Sequence, residues 1–269
     1  MLQIILLPFA VDTKDWFLVG STTQVPLIVA SYLAFVLLIG PRLMKSRPPF
    51  QLTGIILVYN ILQVLGSVFL LHVVSILTSK RWPLSQDVFF IVLCIDTESD
   101  VEYLKQYSLD ILTLYFSALH LYFLAKLTEL LDTIFFVLRK KDRQVSFLHV
   151  YHHSAVFFYS WGLLSYKEAF VSVTVIGFMN SFVHLIMYSY YALSVFPSIS
   201  KYLWWKKYIT KIQMFSLMIA YILFEYTTSP CKLPKSLATH LLFNISLVFA
   251  LFVNFYRQTY TSSQNSKKS

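Results

Sequence analysis

Long apolar runs separated by short polar segments dominate the chain, and this pattern predicts membrane-spanning α-helices. A helix rises about 1.5 Å per residue, so roughly 20 apolar residues cross the hydrocarbon core of a bilayer. Seven runs approach or exceed this length, and we therefore expect an all-α membrane protein built as a bundle of seven transmembrane helices. The runs cover residues 23–39, 52–77, 111–138, 145–164, 170–196, 208–226 and 237–256.

Little of the chain lies outside these runs, so we expect one domain over residues 1–260. The last residues, 261–269, are rich in Ser and Lys, which predicts a disordered cytoplasmic tail. The apolar N-terminal segment lacks the positively charged start of a signal peptide, and we expect it to be retained.

Composition and charge support the membrane assignment and give an orientation. Hydrophobic residues make up 57% of the chain and charged residues only 13%, whereas soluble domains carry about 25% charged residues. Lys and Arg are roughly twice as numerous on the side of the C-terminus as on the side of the N-terminus, which predicts a lumenal N-terminus and a cytoplasmic C-terminus. The net charge of +9 then suits an anionic, phosphate-bearing ligand at the cytoplasmic face, and nucleic acid is not an expected partner.

Three histidines in the fourth run are the main candidates for chemistry. His149, His152 and His153 stand at i, i+3 and i+4, so they share one face of a helix. Polar side chains at membrane depth are costly, which favours a functional site over histidines that merely link helices. We call these residues the histidine cluster.

The third run carries Lys126, Glu129 and Asp132, which also share one helical face and which we call the carboxylate cluster. Lys126 and Glu129 can form an ion pair across one turn, either as a structural clamp or as part of a site. Asp132 is the candidate for orienting a histidine, because a carboxylate fixes the imidazole tautomer.

The fifth run carries a largely polar stripe at helical spacing, composed of Asn180, His184, Met187, Tyr188 and Tyr191. An amide, an imidazole and two phenols on one face are too polar for plain helix packing. His184 is therefore a fourth imidazole that can take part in the chemistry.

Two lysines, Lys206 and Lys207, lie directly before the sixth run and follow a pair of tryptophans typical of a membrane interface. Arg139 and Lys140 lie in the loop between the third and fourth runs. These two residues and the two lysines either set the membrane topology or bind phosphates. Gln213, one turn deeper, is expected to face the polar interior.

These residues leave several functions open. Three or four imidazoles can hold a single zinc ion. A buried imidazole beside carboxylates can instead act as a nucleophile and general base. The chain has seven histidines, fewer than a di-iron membrane oxygenase normally uses, and a non-enzymatic seven-span receptor is the third alternative.

The two cysteines, Cys94 and Cys231, both fall on the lumenal side of the predicted topology. That compartment is oxidising, so they can form a disulfide, and two unrelated thiols are the alternative.

Four motifs in series resemble those of the ELO family of very-long-chain fatty-acid elongases, and the resemblance covers residues 52–256. One position departs from the family pattern: Ser216 stands where the last motif usually has a second glutamine, which puts a polar contact of the sixth run in doubt. The motifs are Lys126-x-x-Glu129-x-x-Asp132-Thr133, His149-x-x-His152-His153, Asn180-x-x-x-His184-x-x-Met187-Tyr188-x-Tyr190-Tyr191 and Thr210-x-x-Gln213.

The resemblance implies a multi-pass enzyme of the endoplasmic reticulum membrane, a very-long-chain 3-oxoacyl-CoA synthase. Such an acyltransferase condenses a long-chain acyl-CoA with malonyl-CoA, releases carbon dioxide and CoA, and leaves a 3-oxoacyl-CoA two carbons longer. The reaction that the resemblance implies requires no metal and no redox cofactor. The resemblance also implies an acyl tunnel enclosed by the helices and a disulfide between Cys94 and Cys231. Expected partners are membrane lipids, the reductases and dehydratase of the elongation cycle, and a second copy of the chain in a homodimer.

The resemblance also implies roles for individual residues. His152 would attack the thioester to give an acyl-imidazole, while His149 and His153 would orient groups or exchange protons. Asn180 and His184 would polarise a carbonyl, and Asp132 would orient the histidine cluster. Substrate-binding candidates are Lys126, Glu129, Tyr188, Tyr191, Gln213, Arg139, Lys140, Lys206 and Lys207.

Overall fold

The computed structural model describes residues 13, 15–78, 109–166, 170–228 and 235–261. Every regular element within these residues is helical, and none of them forms a strand. The predicted all-α class is confirmed.

The long helices of the described residues coincide with the apolar runs to within a few residues at each end. Three shorter elements accompany them among the described residues: a 3-10 turn at Asp142–Gln144, a helical turn at Pro197–Ser200, and a π-helical turn at Arg257–Thr261 that continues the last helix. The long helices are α1 (Gln24–Met44), α2 (Thr53–Thr78), α3 (Leu109–Leu138), α4 (Phe147–Tyr166), α5 (Phe170–Ser194), α6 (Lys206–Thr228) and α7 (Lys235–Tyr256).

Four of these helices, α1, α2, α6 and α7, contain segments long and apolar enough to cross a membrane. The chain is therefore a multi-pass membrane protein. Helices α3, α4 and α5 carry most of the polar side chains of the candidate site. The count of seven spans and the orientation of the termini stay predictions.

The chain packs into two compact units. The first contains the described residues of Met1–Leu52 and His72–Thr174, and the second those of Thr53–Leu71 and Val175–Ser269. A single domain over residues 1–260, with a separate tail after it, stays a prediction.

In the first unit, α3 packs along α4 and α1 joins them around a common apolar core. The fully buried rings of Phe123 on α3 and Phe157 on α4 stack with their centroids 5.3 Å apart. This packing places the polar face of α3 and the start of α4 in the same unit. In the second unit, α6 packs along α7.

Helix α2 has its apolar face outward and a polar face inward. Exposed positions include Leu62, Leu65 and Phe69, as expected for contact with lipid chains. On the opposite side, Asn60 and Gln63 are buried. No charged residue lies between Thr53 and Thr78, and the sequence alone does not say which face of this helix is buried.

Helix α1 contains a π-helical turn at Phe35–Ile39 and crosses α3 closely just after it. At the crossing, a Cβ atom added to Gly40 would lie 2.7 Å from Val137 Cγ1 and 2.9 Å from the carbonyl oxygen of Phe35. No real Cβ tolerates such distances, so the crossing requires a glycine.

Gly40→Ala should therefore destabilise the protein, by about 1–3 kcal/mol, because the added methyl overpacks the crossing. Thermal unfolding of the purified protein in detergent measures the effect. Gly66→Ala is the matched control, since nothing lies within 4 Å of the added Cβ and alanine is the better helix former. Equal melting temperatures for the two variants would contradict the close crossing.

Candidate active site

The carboxylate cluster lies on the face of α3 that is buried in the first unit. Lys126 and Glu129 are only 3% and 4% exposed, and Asp132 is also buried. Lys126 Nζ donates to Glu129 Oε1 at 2.5 Å and lies 4.7 Å from the centroid of the Tyr122 ring. The ion pair that the spacing allowed is present, and its burial means that each charge depends on the other.

The histidine cluster lies in the first two turns of α4, and its rings are close together. Ring centroids are 4.4 Å apart for His149 and His153 and 5.5 Å apart for His152 and His153. His153 is buried, and its Nδ1 lies 4.0 Å from Glu129 Oε2. The structure thus brings the histidine cluster and the Lys126–Glu129 pair together.

The contact between Glu129 and His153 adds a second residue to the orienting role expected of Asp132. A carboxylate close to an imidazole can help to hold the ring in one orientation. Glu129 is placed for this role, because Lys126 holds one of its oxygens and the other lies 4.0 Å from His153 Nδ1. Both carboxylates are therefore candidates for positioning the histidines.

A serine fixes the start of α4 and hence the position of His149. The backbone N–H of His149 donates to Ser146 Oγ at 3.3 Å, which is the usual N-cap bond of an α-helix. The Nε2 atom of His149 is buried and makes no hydrogen bond to any described residue. This nitrogen can accept or donate a bond when a substrate is present.

A hydrogen bond between α1 and α3 holds the carboxylate cluster from the other side. Tyr32 Oη and Thr133 Oγ1 are 2.6 Å apart, and both side chains are buried. Thr133 follows Asp132 directly, so the bond fixes the rotation of α3 at the cluster. Sequence reasoning missed Tyr32, because no local pattern links residues 101 positions apart.

The polar stripe of α5 lies in the second unit. Asn180 Nδ2 lies 3.3 Å from His184 Nε2, and an amide nitrogen can only donate, so a neutral His184 carries its proton on Nδ1. The ring of His184 meets Tyr188 edge-on at 5.5 Å, and Tyr188 meets Tyr191 at 6.1 Å. His184 and Tyr188 are buried, so the stripe faces the protein interior at these positions.

Helix α6 reaches the stripe through Gln213, whose Nε2 lies 3.6 Å from Met187 Sδ. Ser216, the position that departs from the family pattern, donates its hydroxyl to the carbonyl oxygen of Gln213. The Ser216 hydroxyl is thus bonded to the backbone of its own helix. A glutamine at this position would instead carry a longer side chain that ends in an amide.

The basic residues lie at helix ends. Lys206 and Lys207 are exposed at the start of α6. Helix α3 ends in a Schellman motif: Lys140 has a φ of 53°, and the N–H of Lys141 bonds to the carbonyl oxygen of Phe136 at 2.8 Å. Arg139 and Lys140 therefore follow directly on the helix that carries the carboxylate cluster.

Two further expectations concern metals and disulfides. Among the described residues, no group of three or more His, Cys, Asp or Glu is arranged to hold a metal ion. Cys94 and Cys231 lie outside the described residues, so their pairing stays a prediction.

Comparison with known proteins identifies the family. The model of the ELO (GNS1/SUR4) family matches residues 17–268. The chain is 38% identical to very long chain fatty acid elongase 2 of Mus musculus, covering 92% of this chain and 79% of that protein. It is 38% identical to very long chain fatty acid elongase 4 of Mus musculus, covering 94% and 77%. It is 35% identical to very long chain fatty acid elongase 5 of Rattus norvegicus, covering 95% and 80%. The chain belongs to the ELO family of very-long-chain fatty-acid elongases.

Proposed function

We propose that this protein elongates fatty acids by condensing a long-chain acyl-CoA with malonyl-CoA. The product would be a 3-oxoacyl-CoA two carbons longer, with release of carbon dioxide and CoA. One observation carries the proposal: in a member of the elongase family, a buried Lys–Glu ion pair lies against a cluster of three histidines. A nucleophile and its positioning groups are what an acyl transfer needs.

In the first step, a ring nitrogen of His152 attacks the carbonyl carbon of the acyl thioester. The carbon–nitrogen bond forms, the carbon–sulfur bond breaks, and CoA leaves as a thiolate that takes up a proton. His149 and His153 orient the ring and exchange that proton, and Glu129 and Asp132 position His153 and its neighbours. The acyl group is then held on the enzyme as an acyl-imidazole.

In the second step, malonyl-CoA loses its free carboxylate as carbon dioxide, and the electron pair of the broken bond forms an enolate. The enolate carbon attacks the acyl carbonyl, the bond to the imidazole breaks, and the ring takes up a proton through its neighbouring histidines, which regenerates His152. Asn180 and His184 polarise a substrate carbonyl, because the hydrogen bond between them fixes the direction of the ring. Developing negative charge on that oxygen is stabilised by donors already in place.

The two ends of the acyl-CoA need different surroundings. The lipid tail is expected to lie among the apolar helix faces, while the CoA phosphates meet Arg139, Lys140, Lys206 and Lys207. Tyr188, Tyr191 and Gln213 complete the substrate contacts. We place the protein in the endoplasmic reticulum membrane, where the reductases and dehydratase of the cycle would take over the product.

The test is a condensation assay with the purified protein, a long-chain acyl-CoA and radiolabelled malonyl-CoA. We expect a labelled 3-oxoacyl-CoA in the absence of oxygen and in the presence of a chelator. Product formation that needs iron and oxygen would instead indicate a metal oxygenase. No product from either chemistry would favour a receptor.

Neutralising the two lysines at the start of α6 tests the CoA contact. The double variant Lys206→Gln/Lys207→Gln should raise KM for both CoA substrates by roughly two- to fivefold at low salt, the effect expected of exposed ion pairs. The difference from the wild type should shrink as salt is added, because salt screens exposed charges. The measurement is KM as a function of ionic strength.

Lys201→Gln is the matched control, since it removes another exposed lysine a few residues earlier. An unchanged KM in the double variant, or an equal rise in the control, would assign Lys206 and Lys207 to membrane topology only.

A further inference from the structure

The inward face of α2 carries polar side chains that the proposed reaction does not use. Asn60, Gln63 and Ser67 are all buried, and they fall within about 60° of one another around the helix axis. The opposite face of α2 is apolar and exposed. Polar side chains that a membrane-spanning helix turns toward the protein interior often mark a functional site.

Asn60 is the exceptional member of this face. It is 2% exposed, and its Nδ2 atom has no hydrogen-bond partner among the described residues. A buried amide nitrogen without an acceptor is costly and rare in folded proteins, and an acceptor on a bound molecule would remove this cost.

The surroundings of Asn60 point to the polar stripe of α5 in the same unit. The preceding residue, Tyr59, meets the fully buried ring of Tyr188 edge-on, with the centroids 6.0 Å apart. Tyr188 in turn meets the ring of His184 at 5.5 Å. The buried face of α2 and the stripe of α5 are therefore neighbours, linked through one tyrosine pair.

We propose that Asn60 is a substrate-contacting residue whose Nδ2 donates a hydrogen bond to the carbonyl oxygen of a CoA thioester. This inference rests on the proposed elongase function, in which both substrates, acyl-CoA and malonyl-CoA, carry such a carbonyl. A neutral amide donor suits an oxygen that is uncharged in the bound substrate. It also stabilises the negative charge that develops there when the carbonyl is attacked or converted to an enolate.

Asn60→Leu tests the assignment, because leucine is close in volume and carries no donor. The loss of one such donor typically lowers kcat by about 10²-fold or more, and we expect a fall of this size. The variant should nevertheless melt no lower than the wild type, since the unpartnered buried donor is gone. The rise in melting temperature on adding a saturated long-chain acyl-CoA or malonyl-CoA should shrink for the substrate that Asn60 contacts.

Asn244→Leu is the matched control. Asn244 is a buried asparagine of the same unit, 9% exposed, and it has an interaction partner within the protein. Its replacement should lower the melting temperature and leave kcat within about twofold of the wild type. Should leucine at position 60 prevent folding, Asn60→Ala removes the same donor without added bulk and is read in the same way.

Separate measurements identify the carbonyl. Slow acylation of the variant by acyl-CoA, followed by intact mass, assigns the bond to the acyl thioester. Normal acylation with slow product formation assigns it to malonyl-CoA. A kcat within twofold of the wild type, together with unchanged thermal shifts for both substrates, would overturn the inference.

Turnover by the wild type in the condensation assay tests the elongase proposal. The thermal shifts compare Asn60→Leu with the wild type whether or not product forms. Failure of one proposal is therefore distinguishable from failure of the other.

Discussion

His152→Ala should abolish condensation, lowering kcat by more than about 10³-fold, because no other group replaces a covalent nucleophile at its position. The intermediate itself should disappear as well. Intact mass spectrometry of the wild type after exposure to acyl-CoA, without malonyl-CoA, should show an added acyl group. The His152→Ala protein should show none.

The control for this experiment is His240→Ala, which removes an exposed histidine on α7. It should acylate and turn over like the wild type. If His152→Ala still acquires the acyl group, the nucleophile is another histidine of the cluster. His149 would then be the first candidate, because its buried Nε2 makes no hydrogen bond to the described part of the chain.

The helices can be predicted from the sequence because lipid and chain length constrain them strongly. An apolar run in a bilayer must satisfy its backbone internally, so each run becomes a helix whose ends follow from the polar residues that flank it. Helix α3 is an example: the apolar run correctly predicts that the helix ends at Leu138, although no glycine follows to terminate it. Lys140 takes the left-handed conformation that a glycine usually supplies there.

The contacts between helices cannot be predicted in the same way. Helical spacing places Glu129 and Lys126 on one face of α3, and the pair is indeed formed. The spacing does not say which residue of another helix meets that face. The approach of Glu129 to His153 and the bond between Tyr32 and Thr133 depend on tertiary packing between distant segments.

Asn60 illustrates a second limit of sequence reasoning. One asparagine in a run of 26 residues barely changes the mean hydropathy of the run. The sequence also does not show whether its side chain points toward lipid or toward the protein interior. Only the burial of the side chain and the absence of a partner for Nδ2 among the described residues distinguish it. Both are properties of the packed helices.

Breaking the ion pair of α3 should have the largest effect on stability. Lys126→Met leaves the carboxylate of Glu129 buried without its counter-charge, which typically costs about 3–5 kcal/mol. For a chain of this size the melting temperature should fall by on the order of 10 °C. Thermal unfolding in detergent, with far-UV circular dichroism as the probe, measures the loss.

The double variant Lys126→Met/Glu129→Leu separates stability from function. A buried ion pair replaced by apolar side chains of similar volume is often neutral or stabilising, so the double variant should recover most of the lost stability. Activity should stay low, because the carboxylate that faces His153 at 4.0 Å is gone. Recovery of both stability and activity would show that the pair is only a clamp. If Lys126→Met instead lost activity at an unchanged melting temperature, the ammonium would act on the substrate, and Glu129 would serve to hold it there.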